Sequence, residues 1–142
     1  MTGFENIIAR RTALLAINVL FLVVWGFAGI SKVVNGVPPW FGDKFGKTFL
    51  AKFPGLTGTF WLLTLSELLA FGLAAISLFR GEFMQSKRLQ YLPLMLAWSL
   101  LVFIQLHFGQ TITSDFNSAF QLFLYFCGTL ITLQYTTRSS AT

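Results

Sequence analysis

Charge is scarce in this chain, and so are the residues that build redox and metal centres. Aspartate, glutamate, lysine and arginine make up 11% of its 142 residues, against about 25% in soluble domains. There is one cysteine, Cys127, inside an apolar run. That excludes an intrachain disulfide, a four-cysteine metal site and a C-x-x-C redox pair. The one histidine, His107, excludes a bis-histidine haem within a single chain.

What replaces charge is hydrocarbon. Hydrophobic residues reach 55% of the chain, and a domain this small has too little interior to bury them in water. Lipid must cover the remainder. The net charge of +5 does not indicate nucleic acid, because the basic residues form short clusters between apolar runs, where anionic lipid headgroups account for them.

Four runs read as membrane spans, at about 12–34, 57–79, 89–109 and 116–137. The first has no charge from Thr12 to Ser31, about what ~30 Å of hydrocarbon requires. It is too long for a typical signal-peptide core, and no A-x-A-like site closes it. Pro93 falls in the opening turns of the third run, where a missing N–H matters least. The expected fold is therefore all-α, an integral-membrane four-helix bundle forming one domain. Arg10, Arg11, Arg80, Lys87, Arg88 and Arg138 lie on the side of the termini, with Lys32, Lys44, Lys47 and Lys52 opposite. That excess predicts cytoplasmic termini and a multi-pass protein of the cell inner membrane.

The connection between the first two spans is unusual. Val37-Pro38-Pro39 is expected to stop the first helix and Pro54-Gly55 to start the second. In between, over 40–53, Phe41, Phe45, Phe49 and Phe53 recur every four residues beside Trp40, while Lys44 and Lys47 occupy other faces. The pattern predicts a short amphipathic helix in the interface, its rings in the acyl boundary and its lysines among headgroups.

Chemistry is best sought where polarity is expensive. A carboxylate near the centre of a span costs at least ~2.5–3.5 kcal/mol on insertion scales, so Glu67 should face neighbouring helices and find a partner. Lys32 shares a helical face with Asn18, Trp25 and Gly29. Its vertical separation from Glu67 is ~9 Å by helical rise. Snorkelling to water is therefore expected in preference to direct pairing. His107 reads first as an interfacial anchor, with headgroup contact and haem or metal ligation as alternatives. Gln105 with Trp98 on the third span, and Asn117 with Gln121, Gly128 and Tyr135 on the fourth, read as helix-packing stripes. Lys32, Glu67, Gln105, His107, Asn117 and Gln121 all fall in the half of the bilayer away from the termini, and they are the candidate contacts for a quinone or lipid in a site that would open on that side. No comparable collection is expected at the other end. No metal site and no catalytic residue is predicted.

Three segments resemble the DoxX-like family of small four-helix membrane proteins. They are Phe27-Ala28-Gly29-Ile30-Ser31-Lys32, the loop with Phe53-Pro54-Gly55-Leu56, and Leu65-Ser66-Glu67-Leu68-Leu69-Ala70-Phe71-Gly72. The resemblance runs from about Ala13 to Thr137. What it implies is limited: some members look like membrane subunits of oxidoreductases that pass electrons to quinone, others are associated with redox defence or have no assigned role, and only Lys32 and Glu67 match the family's polar motif. Three functions stand open: a quinone- or lipid-binding subunit without a cofactor of its own, a structural or assembly subunit, and a small proton- or cation-coupled transporter. Membrane lipid and other membrane subunits are the expected partners.

Overall fold

A computed structural model describes residues 3–84 and 88–140, with side chains to 138. Lys87, counted above with the terminal-side basic residues, lies outside them. All regular secondary structure among the described residues is helical, with no strand: α1 Gly3–Asn35, α2 Pro39–Phe45, α3 Leu56–Phe79, α4 Tyr91–Ile112 and α5 Phe116–Ser140, plus a single 3₁₀ turn at Phe49–Ala51. Of these, α1, α3, α4 and α5 are long and apolar enough to cross a membrane. The chain is thus read as a multi-pass membrane protein. Below, the end of the molecule that carries residues 36–55 is called distal, and the end that carries the termini proximal.

Local chemistry sets the boundaries. Helix α1 stops at Gly36, whose φ of +67° is one a β-carbon resists, and its N–H returns to the Lys32 carbonyl at 2.9 Å. Pro39 then occupies the first turn of α2, where its fixed φ suits a helix start. The first helix therefore ends before the prolines, which begin the next one.

Packing follows chain order: α1 lies against α3, α3 against α4, and α4 against α5. The face of α1 deduced from periodicity is the inward one. Asn18 and Trp25 are buried, and the Trp25 indole donates to Ser99 Oγ of α4 at 2.9 Å. Gly29 lets α1 approach α3 closely, since a β-carbon there would lie 2.7 Å from Leu68 Cδ2. Ala70 and Ala74 are fully buried on α3. Helix α5 is different: within its apolar window only 11% of residues are buried, against 33% for the other three.

The segment 40–53 departs from the expected single amphipathic helix. Its helix ends at Phe45, and its rings separate. Phe41 and Phe45 turn inward onto Phe60 of α3, with centroids of Phe41 and Phe60 5.3 Å apart. Trp40, Phe49 and Phe53 remain exposed. Four-residue spacing places rings on one face only while the helix continues, and here it breaks at Gly46.

Candidate functional site

The acid at mid-span is paired. Lys32 Nζ lies 2.7 Å from Glu67 Oε2 and 2.9 Å from Oε1, with the glutamate 1% exposed and the lysine 25%. The expectation that Lys32 snorkels to water is overturned, and direction explains why. Side chains lean toward the N-terminus of their own helix. Helix α1 runs toward the distal end and α3 away from it, so Lys32 leans inward and Glu67 leans outward. The two lean toward each other, which closes the separation estimated from Cα heights. A further contact of Nζ with the Ala28 carbonyl at 3.3 Å shows the lysine folded back along its own helix.

Lys32 also forms part of the wall of a cavity of about 350 Å³ at the distal end. Its walls are Trp40, Phe41, Phe45 and Leu50 of the α1–α3 connection, Phe60 and Leu63 of α3, and Gln105, Phe108 and Gln110 of α4. A volume of ~300–1,000 Å³, largely apolar with a few polar groups, is what small-molecule sites share. Gln105, itself exposed, donates to Ser66 Oγ at 3.3 Å, and the Trp98 indole donates to the Ser66 carbonyl at 2.9 Å. These bonds join α4 to the same stretch of α3 that carries Glu67.

A clasp holds α2 over this cavity. Lys44 donates to the Gln110 side-chain oxygen and to Asp115 Oδ2, the latter at 3.0 Å. Lys44 therefore binds protein, against its expected place among headgroups, while Lys47 is exposed. Asp115 precedes α5 and takes the Ser118 N–H and hydroxyl at 3.2 and 2.9 Å, a helix cap. The Lys44 hydrogen bond first, then those from Ser118, hold its carboxyl below the ordinary carboxylate range.

Of the six predicted site residues, the structure brings together Lys32, Glu67 and Gln105. His107 is not with them. It faces a groove of about 180 Å³ between α4 and α5, lined by Phe103, Leu122 and Phe126, with its Nδ1 3.4 Å from Thr111 Oγ1. Asn117 and Gln121 are exposed on α5 and make no side-chain hydrogen bond among the described residues. They do not pack against another span of this chain, as the stripe reading required.

The proximal end holds a polar cluster that the expectation of an empty end missed. Glu82 is 3% exposed. It accepts the N–H groups of Gln90, Tyr91 and Leu92 at 3.1, 2.8 and 2.8 Å. Its Oε2 also lies 3.0 Å from Ser77 Oγ, which is 2.8 Å from the Asn18 amide. The Asn18 orientation with nitrogen on the Ala74 carbonyl and oxygen on Ser77 satisfies both ends of that amide. Pro93, next in line, has no N–H, so the carboxylate and the proline together account for the opening donors of α4. An acid nine residues before the first residue of a helix follows no capping spacing, and that hid it.

No family model matches the chain, and no curated protein or solved structure shows detectable similarity to it.

Proposed function

We infer that the distal cavity binds a neutral, largely apolar ligand, a quinone ring or a lipid headgroup region, and that the chain is a non-catalytic membrane subunit. The observation that carries this is the cavity itself: about 350 Å³, aromatic-walled, with Lys32, Thr59, Gln105 and Gln110 as its polar points. The carboxylate of Glu67 already compensates the lysine charge. Such a site favours a ligand with carbonyl or hydroxyl acceptors over an anion. The ion pair acts as a brace that joins α1 to α3 and fixes Lys32 in the cavity wall.

The DoxX-like placement, with cytoplasmic termini in the cell inner membrane and a partner complex that carries electrons, is the biological setting we propose for that ligand. In this setting segment 36–55 lies at the far face, with Trp40, Phe49 and Phe53 dipping into the acyl boundary. A purely structural subunit is the second reading, and the buried Lys32–Glu67 brace favours it. A transporter is the weaker third, since Glu67 is 1% exposed and already paired.

Titration of the purified protein with short-chain benzoquinones and naphthoquinones, read by quenching of its tryptophan fluorescence, separates the first two. Saturable quenching that weakens in Gln105→Leu supports the ligand site. Linear, unsaturable quenching in both proteins leaves the structural reading.

A further inference from the structure

Helix α5 rests on α4 through Ala119, Leu122, Phe126, Thr129 and Leu133. Its opposite face carries Asn117, Gln121, Leu124, Gly128, Ile131 and Tyr135, spaced four, three, four, three and four. Every one of the six is exposed, with Ile131 at 68% and Leu124 at 51%. Alternating three- and four-residue spacing is the seam of a left-handed helix pair. A β-carbon on Gly128 would meet nothing within 4 Å, so a second backbone can approach there.

The two amides decide the occupant. Within the span, Gln121 lies ~7 Å from the distal end of α5 by helical rise, with Asn117 one turn farther out. Lipid tails offer neither a donor nor an acceptor, so an amide at that depth draws a protein partner. A side-chain amide is both donor and acceptor. Two copies inserted with one topology are related by an axis along the membrane normal, so their α5 helices run parallel and equal residues meet at equal depth. Gln121 then satisfies Gln121, and Asn117 satisfies Asn117. A foreign helix needs matching polar groups of its own, whereas a second copy supplies them by symmetry. A polar residue in an otherwise apolar seam also fixes register. Arg138, three residues past Tyr135, falls beyond the apolar stretch at the headgroup level, where salt screens like charges.

We propose that this face of α5 is a self-association surface, and that two copies pair in parallel along the Asn117–Tyr135 seam. Disulfide scanning tests it, with single cysteines on a Cys127→Ser background in lipid vesicles under mild oxidation. The seam variants Gln121→Cys, Leu124→Cys and Gly128→Cys are expected to form covalent dimers, and the off-seam variants Phe123→Cys and Leu130→Cys are not. Equal cross-linking at all five positions, or none at the seam, overturns the proposal. So does capture of an unrelated polypeptide at the seam in place of a second copy. In parallel, Gln121→Leu is expected to weaken the dimer about 5- to 30-fold in dilution experiments, by the usual strength of interhelical hydrogen bonds. Gln121→Asn should recover most of that loss. Unchanged dimer strength in Gln121→Leu, with helicity retained, refutes the amide pairing.

Discussion

Removing either partner of the Lys32–Glu67 pair should destabilise the protein, and by unequal amounts. Breaking a buried ion pair from one side costs ~3–5 kcal/mol, because the remaining charge is left in a poor medium. The two remaining charges are not equivalent here. In Lys32→Met the carboxylate of Glu67 stays at 1% exposure, with Lys32 its one hydrogen-bond donor among the described residues, so the full ~3–5 kcal/mol applies. In Glu67→Leu the lysine, already 25% exposed, can swing into the cavity and on to water, so the cost falls to ~1–3 kcal/mol. The double variant Lys32→Met/Glu67→Leu buries hydrocarbon in place of both charges and should return to within ~1–2 kcal/mol of the original, since apolar replacement of a buried pair is often neutral or better. Reversible unfolding in mixed micelles, followed by circular dichroism, gives all four corners of the cycle. Equal losses in the two single variants, or simple additivity in the double, would refute the reasoning, because a solvated or unpaired glutamate gives that result.

Three further outcomes follow from particular contacts. Glu82→Ala should cost ~2–4 kcal/mol, about 1 for the lost cap and ~1–3 for the buried Leu92 N–H, while Gln90 and Tyr91 regain water; the same unfolding assay reads it. Gly29→Val forces a side chain against Leu68 and should cost ~1–3 kcal/mol, with α1–α3 disulfide trapping reporting the separation. The Lys44–Asp115 clasp has a defined acid limit. The folded carboxyl titrates below its ordinary value, so its contribution is fully present above about pH 4 and is lost as pH falls through the lower folded value. Hydrogen exchange in residues 39–51 should therefore be flat from pH 7 to 5, after correction for the intrinsic rate, and rise only below the ordinary carboxylate range. A rise near pH 6 would contradict it.

The spans were legible because twenty-residue apolar runs have few competing explanations, and the inward face of α1 because Asn18, Trp25 and Gly29 repeat at helical spacing. Periodicity gives the azimuth of a residue around its helix. It does not give the lean of the side chain, so Lys32 and Glu67 seemed too far apart in depth. Nor does it reveal where a helix stops, so four phenylalanines at equal spacing fell into two environments once Gly46 ended α2. Glu82 escaped because the N–H donors it accepts from lie eight to ten residues further along the chain, at no fixed capping offset. Asn117 and Gln121 were correctly placed on one stripe. The stripe faces outward because α4 already meets the other side of α5.

The central claim is that the distal cavity holds a ligand in the membrane. Native mass spectrometry of the protein released from mild detergent, compared with a Leu63→Trp variant in which an indole fills that cavity, tests it most directly. The expected result is a bound quinone or lipid, about one per chain, retained by the parent protein and lost from the folded variant. Equal retention by both proteins, or none by either, would contradict the claim.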